Sequence, residues 1–181
     1  VVDLLHDGET VIIDSGSSAL AVAREIRSRH LPLTVITPSL LVATELSTEV
    51  DTEVYVTGGQ LRPGELSLIG AGAQESFERF NASTFVMGVA GVDDSAGVTD
   101  YHYDEAHVKR AAARSAQRII VVADSSKLGR VQLISIADLA GLDTLVTDGP
   151  PDHPALRSAR AAGVTVICVQ PPGATTTGRL A

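Results

Sequence analysis

Thr10-Val11-Ile12-Ile13-Asp14-Ser15-Gly16-Ser17-Ser18 is followed by Ala19-Leu20-Ala21-Val22-Ala23-Arg24-Glu25-Ile26-Arg27. The first part is a β-branched run without polar alternation, which suits a strand covered on both faces. The second is rich in Ala, Leu, Glu and Arg and reads as a helix over 18–29. Between them, Gly16 permits a tight turn. The same passage from apolar run to helical pattern recurs along the chain. Strands are expected at 10–14, 33–37, 53–56, 83–88, 118–124, 144–147 and 164–169. Helices are expected at 18–29, 39–47, 71–79, 104–115, 136–139 and 153–162. This alternation predicts a three-layer α/β fold with a mostly parallel sheet and right-handed crossovers.

Two stretches depart from the repeat. Residues 57–68, with Gly58-Gly59, Pro63 and Gly64, read as a loop. Residues 88–103, with Gly88, Gly91, Gly97, Asp93, Asp94 and Asp100, read as a long polar connection. Loops of that length in compact domains are more often functional than idle. Residues 1–170 form the expected domain, and 171–181, rich in Gly, Thr and Pro, read as a disordered tail.

The 181 residues are 44% hydrophobic, enough for a core, and 3% aromatic, so Val, Ile, Leu and Ala must fill it. Fourteen basic and twenty-two acidic residues give a net charge of −8, which argues against this chain gripping a nucleic-acid backbone by itself. No apolar run approaches the roughly 18 residues of a membrane span, so no membrane partner is expected. The lone Cys168 cannot form an internal disulfide and reads as a small buried hydrophobe in a reducing compartment. The first residues carry no secretory signal pattern, and the start at Val1 reads as a piece of a longer protein.

Ligands of open parallel sheets bind beyond the carboxyl ends of the strands. The residues following each run are therefore the candidates: Asp14, Ser15, Gly16, Ser17 and Ser18; Thr37; Gly91 and Asp93; and Lys127. Gly16 with Ser17 and Ser18 at a helix start suits a phosphate; the plainer alternative is a serine capping its own helix. Lys127 and Lys109 are the only two lysines against twelve arginines. Lys127 is either a point contact to phosphate or a solvated loop lysine. Glu105 and Lys109, four apart, read by default as a surface pair. Asp93 is either a turn residue or a carboxylate facing a sugar. The five histidines match no metal-site spacing, and no metal or other cofactor is expected.

Taken in order, these motifs resemble the C-terminal sensor domain of DeoR-family bacterial repressors. The resemblance runs from about Asp7 to Val169. It is carried by Gly8-Glu9-Thr10, Asp14–Ser18, Thr34–Ser39, Gly58-Gly59 with Leu61-Arg62-Pro63, and Gly88 to Asp93. It continues through Gly97-Val98-Thr99, Glu105 to Arg110, Ala123–Gly129 and Thr147-Asp148. The resemblance implies a fold like ribose-5-phosphate isomerase and glucosamine-6-phosphate deaminase, a phosphorylated sugar effector, a winged helix-turn-helix before Val1 that binds DNA, and a homo-oligomer, dimer or tetramer. It also implies a cytoplasmic regulator in which residues 14–18 hold phosphate and Lys127, matching the lysine after the isomerases' Ala-Asp-x-Ser segment, stands near the ligand. Thr37, Gly58, Gly59 and Gly91 fall in matching segments; Asp93 and Glu105 match an active-site aspartate and the catalytic glutamate of the isomerases. Pro38 stands where the family carries Asn. Residues 94–104 contain no lysine where the isomerases have a catalytic one. No catalytic residue is therefore assigned; the enzymatic alternative is an aldose–ketose isomerase, and a third reading is a small-molecule binder with neither DNA nor catalysis.

Overall fold

The structure, a computed structural model, describes residues 1–169. The expected tail at 171–181 lies outside them. Seven strands form the main sheet: β1 (Thr10–Ile13), β2 (Thr34–Thr37), β3 (Glu53–Val56), β6 (Ala82–Gly88), β9 (Ala116–Val122), β11 (Thr144–Thr147) and β12 (Thr165–Cys168). Every pairing among them is parallel, and their order is β12-β11-β9-β6-β1-β2-β3. Each expected strand is present, with ends shifted by two residues at most.

The apolar runs are continuous because both faces are covered. Val11 and Ile13 point to one side, under α1 (Ser17–Ser28) and α2 (Leu40–Leu46), which bring Ala23, Ile26, Val42 and Leu46. Ile12, Phe85, Met87 and Val121 point to the other. There they meet α3 (Ala71–Phe77), α4 (Tyr103–Arg114) and α5 (Pro154–Ala161). Each such buried side chain contributes about 1.5–3 kcal/mol.

The two irregular stretches are not loops. Residues 57–68 contain all but the last residue of an antiparallel ribbon, β4 (Gln60–Arg62) with β5 (Ser67–Ile69). Residues 88–103 contain β7 (Gly91–Asp93) and β8 (Gly97–Asp100), which form an antiparallel sheet with β10 (Ile134–Ala137). That last strand overturns the helix expected at 136–139. A short apolar run has no helical period to separate it from a strand, and here Ile134 and Ser135 pair across to Asp100 and Thr99. A 3-10 turn, Leu139–Gly141, follows. The small sheet adds Val92, Val98 and Ile136 to the core beside α4.

Two smaller readings also change. Cys168 is half-buried rather than core, because β12 is the edge strand. The helix expected from 39 begins one residue later: Ser39 is the N-cap of α2, its hydroxyl accepting from the Val42 amide at 3.3 Å.

From β1 the chain builds outward through β2 and β3, then returns to place β6 on the other side of β1 and continues to β12. The strand order thus reverses between β1 and β6. Residues 14–18 follow β1, and Gly88 ends β6, so both stand at this topological switch point.

Candidate functional site

Helix α1 opens without a side-chain cap. Its N-cap, Gly16, has φ +96°, a backbone conformation that favours glycine. The capping alternative is not realised: neither Ser17 nor Ser18 bonds an amide of the first turn, and the Ser17, Ser18 and Ala19 amides find no partner among the described residues. Free amides at a helix start carry the positive end of the dipole. Gly88 lets the turn after β1 come close, since a Cβ there would lie 3.3 Å from the Ser15 carbonyl oxygen.

Beneath the turn lies a buried charge cluster. The Asp14 carboxylate accepts from the Gly88 amide at 3.0 Å and pairs with the Lys109 ammonium. Asp100 stands 3.6 Å from the same ammonium and accepts from the Tyr101 amide at 2.7 Å. Asp14, Asp100 and Lys109 are 2%, 4% and 4% exposed, so none serves as a solvated surface charge. Burial works against the Lys109 ammonium, but the attraction of Asp14 and Asp100 outweighs it and raises its pKa.

Glu105, one turn earlier on α4, faces elsewhere. It accepts from the Ser67 hydroxyl at 2.7 Å and pairs with Arg62 at 2.8 Å, both from the β4–β5 ribbon. The Arg62 guanidinium also lies 5.6 Å from the centre of the Tyr101 ring. The surface pair expected from the four-residue spacing of Glu105 and Lys109 is therefore replaced by two buried arrangements with distant partners. Burial raises the Glu105 pKa, but the Ser67 hydroxyl, Arg62 and Lys109 outweigh it and hold it below the usual carboxylate value.

These groups border one open cleft of about 180 Å³. The turn Ser15–Ser18, residues 88–90, Asp100, Tyr101, Glu105 and Lys109 line it, together with Glu65 and Lys127. Lys127 belongs to a 3-10 turn, Ser125–Lys127, capped by Asp124 through the Ser126 amide at 2.8 Å. The Gly129 amide donates to the Val92 carbonyl at 2.7 Å, fastening this segment to β7. The Lys127 side chain remains about one-third exposed, with the Asp124 carboxylate 3.9 Å away.

The cleft thus gathers Ser15, Gly16, Ser17, Ser18, Glu105, Lys109 and Lys127, with Asp14 beneath. Five other candidates lie away from it. Thr37 is buried, its hydroxyl accepting from the Ser39 amide at 3.1 Å. Gly58 and Gly59 pack against α3; a Cβ on Gly59 would come within 2.6 Å of the Ile69 carbonyl oxygen. At Gly91 an added Cβ would come within 2.3 Å of the Arg130 carbonyl oxygen. The Asp93 carboxylate turns back on its own hairpin, accepting from the Ser95 and Ala96 amides at 3.0 Å each. Those amides hold its pKa low. Conversely, Arg62, Glu65, Ser67, Gly88, Asp100 and Tyr101 were not among the candidates. Gly88, at the end of an apolar run, carried a usable signal; the ribbon residues carried none. Among the described residues, no group of three or more His, Cys, Asp or Glu is placed to hold a metal, and no helix is long and apolar enough to cross a membrane.

A family model, the DeoR C terminal sensor domain, matches residues 1–149. The chain belongs to that family. Its curated relatives include the HTH-type transcriptional regulator GlpR of Haloferax volcanii, 36% identical over 166 residues, covering 92% of this chain and 64% of that protein. The HTH-type transcriptional repressor GlcR of Bacillus subtilis is 33% identical and covers 83% of the chain and 57% of that protein. The glycerol-3-phosphate regulon repressor of Escherichia coli K12 is 28% identical over 83% of the chain and 60% of that protein. The DeoR sensor domain described here therefore spans about three-fifths of these relatives. Its fold is similar to ribose 5-phosphate isomerase A of Neisseria gonorrhoeae (TM-score 0.51, 14% identity, 72% of this chain and 49% of that one). The isomerase of Methanocaldococcus jannaschii gives a TM-score of 0.50 at 17% identity, over 70% and 49% of the two chains. That likeness is one of fold; the curated relatives named above are transcriptional regulators and repressors.

Proposed function

We propose that this domain senses a phosphorylated sugar or sugar derivative, docked in the cleft at the β1/β6 switch point. Binding would modulate operator recognition by a DNA-binding domain elsewhere in the full-length protein, acting in the cytoplasm as a homo-oligomer. The observation that carries the reading is the set of uncapped amides at the start of α1, with the Lys127 ammonium on the same cleft. The amides supply a positive field worth about 0.3–2 kcal/mol. A micromolar ligand needs about 8 kcal/mol, so the ammonium and the hydroxyl contacts of the sugar must contribute the rest. A cleft of 180 Å³ suits one small metabolite, since drug-sized ligands take roughly 300–1,000 Å³.

The state of Glu105 favours sensing over isomerisation. A proton-abstracting carboxylate works best with a pKa raised toward 7, whereas this one is held low by Ser67 and Arg62. Lys109, committed to two buried carboxylates, is no free electrophile. Effector and operator would be linked by a coupling of about 1–3 kcal/mol, enough for a 5–150-fold change in DNA affinity. The test is a thermal-shift comparison of sugar phosphates with their unphosphorylated parents, followed by operator binding of the full-length protein with each compound that shifts. Stabilisation by phosphorylated compounds alone, with altered operator affinity, is expected. Equal shifts for phosphorylated and parent sugars would count against the anion site.

A further inference from the structure

Glu65, in the turn of the β4–β5 ribbon, also lines the cleft and takes no part in anchoring phosphate. Most charges there are already matched. Asp100 and Lys109 belong to the buried cluster with Asp14, and Glu105 is engaged by Arg62 and Ser67. Two remain. Lys127 has only a long 3.9 Å approach to Asp124. Glu65 makes no side-chain hydrogen bond or ion pair among the described residues.

The two charges come from segments rooted on different strands of the main sheet. Lys127 follows β9. The ribbon is fastened past the end of β2, where Leu68 donates to the Pro38 carbonyl at 2.7 Å and Leu40 to the Leu66 carbonyl at 2.9 Å. In the order β9-β6-β1-β2 these anchor points are three strand spacings apart, about 14 Å. The opening of α1 lies between them. The cleft therefore has a cationic side, formed by Lys127 and the α1 amides, and an acidic end at Glu65.

We propose that Glu65 determines specificity at the ligand's end remote from the phosphate. Its carboxylate accepts hydrogen bonds from a hydroxyl or ammonium group and repels a second phosphate. The site then takes sugar monophosphates and rejects bisphosphates. An ionised carboxylate only accepts hydrogen bonds, and a like charge facing it is an established route to discrimination. This inference rests on the phosphate-anchoring reading above.

Calorimetric titration of the wild type and Glu65→Gln with inorganic phosphate, glucose 6-phosphate and glucose 1,6-bisphosphate tests it. The two sugars differ only in the remote phosphate. Glucose 6-phosphate should bind the wild type at least tenfold more tightly than the bisphosphate, a difference of about 1.4 kcal/mol. In Glu65→Gln the gap should shrink to threefold or less, with inorganic phosphate binding unchanged. The role of Glu65 is overturned by equal affinities in the wild type, by a gap that the substitution leaves intact, or by phosphate binding with neither sugar bound. The anchor would still stand. Failure of all three compounds to bind the wild type overturns the anchor itself. If inorganic phosphate alone is too weak to register, the ratio of the two sugars decides.

Discussion

Replacing Lys109 with Met tests the buried cluster. Methionine keeps most of the length and volume and removes the charge, leaving Asp14 and Asp100, 2% and 4% exposed, without their cation. Removing one partner of a buried pair costs about 3–5 kcal/mol, because the remaining charge is desolvated and unmatched. In a domain of this size each kcal/mol lowers Tm by about 2–4 °C, so a loss of about 6–20 °C is expected at pH 7. Burial already raises the Asp14 pKa against the attraction of Lys109, and removing the lysine should raise it further. A group whose folded pKa is raised contributes stability that is present below its unfolded value, near 4, and lost as pH rises through the folded value. The deficit of Lys109→Met should therefore shrink on acidification toward pH 4, which a pure packing defect would not do. Thermal unfolding across pH gives both readouts. An exposed pair at four-residue spacing would cost about 0.3–0.5 kcal/mol; a Tm loss below 2 °C, with no dependence on pH, would refute the cluster.

Lys127→Ala should weaken binding of a phosphorylated sugar by about tenfold, the scale of a charge-assisted contact at a partly exposed site, and leave Tm within about 1 °C; unchanged affinity in titration would remove this residue from the site. Gly59→Ala should cost about 2–5 kcal/mol in urea unfolding, combining strain at φ +119° with the 2.6 Å approach to Ile69. If it instead folds normally and loses ligand affinity, Gly59 acts in binding rather than packing. Acid should destabilise the native protein through Glu9 and Glu105. Burial raises the Glu9 pKa, but the Thr84 hydroxyl, the His6 amide and Arg118 outweigh it and hold it low. A depressed carboxyl contributes stability that is present above its unfolded value, about 4.3, and lost as pH falls through the folded value. The urea midpoint should therefore hold from pH 7 to about 5 and fall below about 4; a midpoint constant down to pH 3 would contradict these pairings.

The main sheet was legible because burial on both faces leaves continuous runs such as Val11–Ile13, and a strand end followed by Gly16 and two serines marks its own helix start. The meeting of that turn with Lys127 was legible for the same reason, since parallel strands carry their carboxyl ends to one rim. The partners of Glu105 and Lys109 were not. Helical spacing places the two side chains near one another but says nothing of Ser67, 38 positions away, or Asp14, 95 positions away. The ribbon that brings Arg62 and Glu65 consists of three-residue strands among Gly and Pro, too short for any period to show. Asp93 shows the converse: its carboxylate completes a turn, a role open to any aspartate in a Gly-rich loop.

The proposed anchor is an anion docked on the main-chain amides opening α1. Amide resonances of ¹⁵N-labelled protein, followed during titration with glucose 6-phosphate and with glucose, test it most directly. Saturable shifts of Gly16, Ser17, Ser18 and Ala19 are predicted for the phosphorylated compound alone. Saturable shifts confined to other parts of the chain, with these four amides unmoved, would contradict it.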